Sequence, residues 1–137
     1  MKVMAFGTFD VIHPGHSFYL KRAKKLGKEL VVVVGRDLTV KKVKGRMPQH
    51  MEQRRLSDVK KMEIADKVIL GYLSDQLRIV EEEKPDTIAL GYDQRAFTED
   101  LFKKLKERGL LVDIVRIPSY KPSVNKSSII KKKKFKF

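Results

Sequence analysis

Residues 7–16, Gly-Thr-Phe-Asp-Val-Ile-His-Pro-Gly-His, decide how the rest of the chain is interpreted. They follow a short apolar run, Lys2–Phe6, and precede a segment in which Tyr19 and Ala23 recur with helical spacing. Pro14 suits the first turn of that helix, where no backbone N–H is needed. The pattern therefore predicts a strand, a loop and a helix N-terminus. The free N–H groups and positive dipole end of that terminus favour an anion such as phosphate.

His13 and His16 lie three residues apart in this stretch, so both imidazoles face one space from the first helical turn. There they would donate hydrogen bonds to phosphoryl oxygens as charge builds up in a transition state. Two other interpretations stay open, a structural pair and a metal site. A metal site would need carboxylates such as Asp10, because the chain has one further histidine, His50, and no cysteine.

The loop matches neither of two common phosphate-binding motifs. The dinucleotide fingerprint Gly-x-Gly-x-x-Gly is absent, and no Gly-Lys-Ser/Thr follows a strand as it does in a P-loop. Hydride transfer and ordinary kinase chemistry therefore lose support.

Further along the chain, short runs of Val, Ile and Leu alternate with segments of helical period. The predicted strands, each of the type buried on both faces, are Lys2–Phe6, Leu30–Val34, Lys67–Leu70, Thr87–Leu90 and Val112–Val115. Gly27 and Gly109 stand where C-terminal caps of helices are expected. The alternation predicts an α/β fold, a doubly wound parallel five-stranded sheet with helices on both faces. Ligands of such sheets bind beyond the carboxyl ends of the strands, at the switch point.

One stretch, Arg36–Gln49, fits neither the helical nor the strand period. It is predicted to be a mobile basic loop with Gly45 as a candidate hinge, and its basic residues are Lys41, Lys42, Lys44 and Arg46.

Length and composition fit one domain, residues 1–137, because a domain takes about 100–200 residues. Hydrophobic residues make up 42% and charged residues 35%, which favours a globular core.

The longest aliphatic run, Leu30–Val34, is far shorter than the roughly 20 residues that span a bilayer, and Met1–Phe6 does not resemble a signal peptide. With no cysteine, a cytoplasmic protein is expected.

The net charge of +14 is unevenly distributed. Seven of the 31 basic residues lie in the tail Lys121–Phe137, which has no acidic residue, so the rest of the chain carries 24 basic and 17 acidic side chains, or +7. That value suits phosphorylated substrates as well as nucleic acid, so charge alone does not choose between them. A solvated tail is the simplest interpretation, and nucleic acid is not expected as a partner.

Residues 7–16 resemble the GTFDxxHxGH signature of the HxGH nucleotidyltransferase superfamily, which includes cytidylyltransferases, adenylyltransferases and the catalytic domains of class I synthetases. Three later segments agree in order and spacing. Met51–Arg55 resembles the family's xEQR segment, Leu90–Gln94 resembles its LGxD segment, and Lys126–Ile130 resembles its closing serine/threonine motif. The resemblance covers nearly the whole chain and implies a Rossmann-like fold.

The resemblance also implies a reaction. A phosphate oxygen of the acceptor attacks the α-phosphorus of a nucleoside triphosphate in line, and pyrophosphate leaves with Mg²⁺ or another divalent cation. By the motif match, His13 and His16 stabilise the pentacovalent transition state, and the backbone of Thr8 and Phe9 holds triphosphate oxygens.

Four further residues receive roles from the same resemblance. Asp93, just past a predicted strand, would accept a hydrogen bond from a ribose hydroxyl, although it would also suit a loop cap. Ser127 and Ser128 would cap a last helix and donate to the leaving pyrophosphate, or serve as plain caps. Asp10 would contact the acceptor or the metal.

Basic residues complete the implied triphosphate site. Arg54 would bridge the β- or γ-phosphate or lock the loop, and Lys41 and Lys44 would close over the triphosphate. For the two lysines a solvated surface is an equal alternative.

Within the superfamily the chain resembles archaeal-type FAD synthetase, an FMN adenylyltransferase that transfers AMP from ATP to FMN and gives FAD and pyrophosphate. The alternatives are glycerol-3-phosphate cytidylyltransferase with CTP, an enzyme of this fold acting on another phosphate acceptor, and a nucleic-acid-binding module with a vestigial pocket. Gln94 stands where cytidylyltransferases tend to have Trp, and Lys121–Ser128 replaces their RTEGISTT, so the bidentate arginine is absent. Both departures favour ATP and FMN. A homodimer is expected from similar small enzymes.

Overall fold

The computed structural model describes residues 1–92, 94 and 101–120, without the side chain of residue 102. Its centre is a five-stranded parallel sheet with the strand order β3-β2-β1-β4-β5. The strands are β1 Lys2–Gly7, β2 Glu29–Val34, β3 Lys67–Leu70, β4 Thr87–Leu90 and β5 Asp113–Arg116. The predicted doubly wound α/β fold is therefore confirmed, with every strand within one residue of its predicted ends.

The described residues form five helices. They are α1 Pro14–Lys24, α2 Asp37–Lys44, α3 Glu52–Lys61, α4 Gln76–Glu83 and α5 Leu101–Glu107. Of these, α1 and α3 pack on one face of the sheet and α4 and α5 on the other. Successive side chains of β1 point to opposite faces of the sheet, as in any β-strand. Val3 and Ala5 pack in one core with α1 and α3, whereas Met4 packs in the other with α4 and α5. Among the described helices, none is long and apolar enough to cross a membrane.

The prediction of a mobile loop over Arg36–Gln49 is wrong. Its first part is the helix α2, which Gly45 ends in the left-handed conformation with φ +82°, donating its N–H to the carbonyl of Lys41 at 2.8 Å. Of the apolar residues of α2 only Val40 is buried, while Leu38 and Val43 are 60% and 63% exposed. The helix therefore lacks the apolar stripe by which a helical period is detected. Gly45 is a helix cap and not a hinge.

The prediction for Gly27 is also wrong, whereas that for Gly109 is confirmed. Helix α1 ends at Lys24 without a left-handed cap, and a Cβ on Gly27 would lie 2.7 Å from the carbonyl oxygen of Met1. Gly27 thus allows a close approach of two backbone segments. Gly109 follows α5 with φ +74°.

Parallel pairing shows where the sheet opens. The β1–β2 ladder continues to Gly7 and Val34, but the β1–β4 ladder ends at Ala5 and Ala89. A crevice therefore begins between the carboxyl ends of β1 and β4, which is the switch point of the sheet.

Candidate active site

Two side chains satisfy the backbone of Phe6, which lies just beyond the last β1–β4 pair. The Tyr19 hydroxyl accepts the Phe6 N–H at 3.2 Å and donates to the carbonyl of Ala89 at 2.6 Å. The Gln94 amide donates to the carbonyl of Phe6 at 2.6 Å and accepts the N–H of Gly91 at 2.7 Å. Side chains thus replace the missing ladder and fix the walls of the crevice. Since the Gln94 amide hydrogen-bonds the backbone of both Phe6 and Gly91, its role is to hold these two segments together.

His13 and His16 meet at the N-terminus of α1, as predicted. Their rings stack with centroids 3.9 Å apart and planes at 28°. His13 is the N-cap, and its Nδ1 accepts the N–H of Gly15 at 3.0 Å, while Nδ1 of His16 accepts the N–H of His13 at 3.2 Å. This is a capping box built from two histidines, with Pro14 at the first helical position.

The capping box determines the tautomer of both rings. A neutral imidazole that accepts a hydrogen bond at Nδ1 carries its proton on Nε2. Each neutral ring of the pair therefore carries its proton on Nε2. The structural and the chemical interpretations of these histidines are compatible, because they use different nitrogen atoms.

Phe9 has an unusual backbone conformation for a buried aromatic residue. Its φ is +53°, its side chain is 2% exposed, and its ring lies against that of His16 with centroids 5.3 Å apart. A Cβ on Gly7 would lie 2.6 Å from the Phe9 ring, so only glycine fits there. Left-handed residues in such loops turn successive N–H groups into a concave anion-binding surface. The positive φ of Phe9 is one of the conformations from which such a surface is built.

Asp10 holds the segment that leads into α3. Its two carboxylate oxygens accept the N–H groups of Gln49 and His50 at 2.7 and 2.8 Å. Burial opposes ionisation of this carboxylate, but those two hydrogen bonds and the charges of His50 and Arg55 outweigh it and lower the pKa of Asp10. A loop-anchoring role for Asp10 was missed by the sequence analysis.

Arg54 and its neighbour Arg55 occupy opposite environments on α3. Arg54, the arginine predicted at the triphosphate, is 63% exposed and forms an ion pair with Asp58 at 3.4 Å. Arg55 is completely buried. It donates to the carbonyls of Thr8 (2.9 Å), Gly35 (2.8 Å) and His50 (2.8 Å) and to Oδ1 of Asp37 (2.7 Å).

Arg55 is thus a residue that the sequence analysis did not single out. One signal was available, since Arg55 and the buried Val59 are four residues apart on α3 and lie on the same face. An arginine on a buried helical face needs hydrogen-bond acceptors inside the protein, so its presence there indicates an internal hydrogen-bond network.

A second link joins the loops after β2 and β3. Arg36 donates through Nε to the carbonyl of Gly71 at 2.9 Å and forms an ion pair with Glu52 at 3.0 Å. Glu52 also accepts the N–H of Asp37 at 2.8 Å, at the start of α2. The glutamate of the EQR segment therefore ties α2 to α3.

Of the remaining predicted residues, Lys41 and Lys44 lie exposed on α2. Asp93, Ser127 and Ser128 fall outside the described residues. Within the described residues no group of three or more His, Cys, Asp or Glu side chains could hold a metal ion.

Comparisons with known proteins agree with this geometry. The profile of the Cytidylyltransferase-like family matches residues 4–133. FAD synthase from Methanothermus fervidus is 49% identical over 140 residues, covering 98% of this chain and 96% of the relative. FAD synthase from Thermoplasma acidophilum is 47% identical over 133 residues, covering 97% and 93%.

Two solved structures share the fold. One is the lipopolysaccharide core biosynthesis protein from Thermoplasma volcanium, with a TM-score of 0.83, 45% identity and coverage of 88% of this chain and 98% of that one. The other is pantoate-beta-alanine ligase from Francisella tularensis, solved with beta-gamma ATP and beta-alanine, with a TM-score of 0.59, 13% identity and coverage of 89% and 60%. The second similarity concerns the fold alone.

Proposed function

This chain belongs to the Cytidylyltransferase-like family, and from that premise we propose that it is an FMN adenylyltransferase, which transfers AMP from ATP to FMN to give FAD and pyrophosphate. Two relatives that share nearly half of its residues along nearly the whole chain are FAD synthases. A nucleotidyltransferase of this kind needs a site for the triphosphate and donors for the reacting phosphoryl group, and both requirements have candidates in the β1–α1 loop.

The stacked pair of histidines is the observation that carries the proposed chemistry. A phosphate oxygen of FMN attacks the α-phosphorus of ATP, the bond between that phosphorus and the bridging oxygen to the β-phosphorus breaks, and pyrophosphate leaves. Negative charge builds up on the α-phosphoryl oxygens, where the Nε2–H groups of His13 and His16 would donate. The transfer needs no covalent enzyme intermediate, which agrees with a chain that lacks cysteine.

The triphosphate is assigned to the N-terminus of α1 and the backbone of Thr8 and Phe9. The positive end of the helix dipole and the concave turn at Phe9 favour the same anion. Lys41 and Lys44 extend the positive charge from α2, and Asp93 and Ser127–Ser128 keep their proposed contacts with ribose and pyrophosphate.

Magnesium is proposed to enter with ATP. Mg²⁺ is commonly bound through substrate phosphates, waters and one or two carboxylates, without a cage made of protein ligands. Asp10 is a carboxylate in the β1–α1 loop, but both of its oxygens accept backbone N–H groups, so the ion would be held mainly through the triphosphate. When bound, the ion neutralises charge on the triphosphate.

A product assay tests the function. The purified protein is incubated with MgCl₂, ATP and FMN, and in parallel with CTP and glycerol 3-phosphate, while FAD is followed by chromatography and pyrophosphate by a coupled assay. FAD is expected only from the first mixture. Pyrophosphate from the CTP mixture alone would keep the reaction class and refute the choice of substrates.

A further inference from the structure

We propose that Arg55 is a positioning residue for the triphosphate: it holds the carbonyl of Thr8 and thereby aims the N–H of Phe9 at the substrate's phosphates. The inference rests on the proposed function, because it assumes that a triphosphate lies on the β1–α1 loop. It assigns to a completely buried side chain an effect on substrate binding that needs no contact with the substrate.

The contacts of Arg55 show how much of the site depends on it. Its guanidinium joins four separate segments: the β1–α1 loop through Thr8, the end of β2 through Gly35, the start of α2 through Asp37, and the segment before α3 through His50. A guanidinium is planar, and its five N–H donors have fixed directions. The four acceptors are therefore held in one relative arrangement, which a flexible ammonium group would not impose.

The bond to Thr8 has a direct consequence for Phe9. The carbonyl of Thr8 and the N–H of Phe9 belong to one planar peptide group, and in the trans form they point in opposite directions. With the carbonyl fixed at 2.9 Å from the buried guanidinium, the N–H points away from Arg55. No hydrogen-bond acceptor for this N–H is found within the described part of the chain. A donor in the loop that leads to the N-terminus of α1 suits a phosphate oxygen.

The backbone of Phe9 needs such support. A non-glycine residue with φ +53° is strained, and strained residues persist only where their surroundings over-determine the conformation. The Phe9 ring is fixed in the core beside Gly7, and Arg55 fixes the preceding carbonyl. The positive charge of the Arg55 guanidinium, which donates to that carbonyl, also polarises the peptide group and makes the Phe9 N–H a stronger donor.

A merely structural role for Arg55 predicts a different result from a positioning role. A cross-link that only stabilises the fold would, once removed, lower stability and reduce the amount of active enzyme. A positioning residue changes the affinity of the folded enzyme for triphosphate and leaves its affinity for the acceptor unchanged. The two roles are separated by measuring the substrates one at a time.

The test uses the full chain with Arg55→Lys and Arg55→Met, and Val59→Ala as the matched control. Val59 is buried one turn further along α3, so its truncation destabilises the same helix without touching the loop. The affinity for inorganic tripolyphosphate is measured by calorimetry, together with KM for ATP, KM for FMN and kcat. We expect the tripolyphosphate affinity of both Arg55 variants to fall by on the order of tenfold, as when one charge-assisted hydrogen bond is misplaced. Their KM for ATP is expected to rise by a similar factor. KM for FMN is expected to stay within about twofold, as is every parameter of Val59→Ala, because truncating a buried valine removes packing and no phosphate donor.

Unchanged tripolyphosphate affinity in folded Arg55→Lys would overturn the inference, and so would an equal loss in Val59→Ala. If Arg55→Met does not fold, Arg55→Lys decides alone, because it retains the charge and loses the fixed geometry. Binding of tripolyphosphate depends on neither nucleobase nor acceptor. A wild-type protein that binds it but makes no FAD would refute the proposed function, whereas FAD synthesis with unaltered Arg55 variants would refute only the role of Arg55.

Discussion

Single residues in this protein combine structural and chemical tasks, and the histidine pair shows how. Each ring uses Nδ1 to cap a helix and carries on Nε2 the proton that we propose is donated to a phosphoryl group. The motif predicted the position of both rings. It did not predict the capping box, because histidine is not among the common N-cap residues and the pairing becomes visible only with the backbone in place.

Asp10 allows a prediction at the residue scale. Asp10→Asn replaces one acceptor oxygen by an NH₂ group that would face a backbone N–H of Gln49 or His50. We expect the free energy of unfolding, measured with urea, to fall by about 1–3 kcal/mol, the usual effect of leaving a partly buried donor without its acceptor.

The control is Asp58→Asn, which makes the same change of charge in the exposed ion pair with Arg54. That variant is expected to lose less than about 1 kcal/mol. Equal losses in the two variants would show that Asp10 does not anchor the loop.

Sequence reasoning singled out Arg54 for the triphosphate, which stays a prediction, and did not single out the buried Arg55. The arginine of the xEQR motif is Arg54, whereas its neighbour Arg55 lies on the buried face of α3. The difference depends on the helix's rotation about its axis, which is set by packing against the sheet.

At the scale of elements, the strands were predictable and the helix α2 was not. Runs such as Leu30–Val34 are apolar on both faces because a central parallel strand is covered twice, and this signal needs no tertiary information. Helix α2 buries only Val40, so its helicity depends on its ends: Asp37 held by Arg55 and a left-handed Gly45. Those interactions come from distant segments of the chain.

Tyr19 gives a prediction at the element scale, because its hydroxyl joins α1 to β1 and β4. Tyr19→Phe removes the acceptor of the Phe6 N–H and the donor to Ala89. We expect a loss of about 1–2 kcal/mol in the free energy of unfolding, with the ring still packed. Tyr120→Phe, a change at a tyrosine that is 40% exposed, should leave stability nearly unaltered. A Tyr19 variant as stable as the wild type would contradict the role given to the hydroxyl at the switch point.

Over the whole molecule, carboxylates with depressed pKa values join distant parts of the chain. The side chain of Lys24 and the N–H of Leu30 lower the pKa of Asp66. Burial raises the pKa of Glu83, but the ammonium groups of Lys67 and Lys2 outweigh it and the pKa is lowered. Because the folded-state pKa lies below the unfolded value, each group contributes stability above its unfolded value, 3.8 for Asp and 4.5 for Glu, and loses it as the pH falls through the folded-state pKa.

We therefore expect the melting temperature to change little between pH 7 and 5 and to fall steadily below about pH 4.5. Thermal unfolding followed by circular dichroism measures this, with Glu83→Gln as the control, because that variant lacks one of the titrating groups. The fall should be shallower in Glu83→Gln. A melting temperature that stays constant down to pH 3 would contradict the assignment.

The central claim is that the histidine pair stabilises the transition state of AMP transfer, and single-turnover kinetics of FAD formation test it most directly. His16→Ala removes the Nε2–H donor; it also removes the acceptor of the His13 N–H, so the fold of the variant is checked by circular dichroism. We predict that His16→Ala retains the fold while the rate of the chemical step at saturating ATP and FMN falls by on the order of 10² or more, as on removal of one preorganised donor. A rate within a few-fold of the wild type, in a folded variant that binds both substrates, would contradict the account.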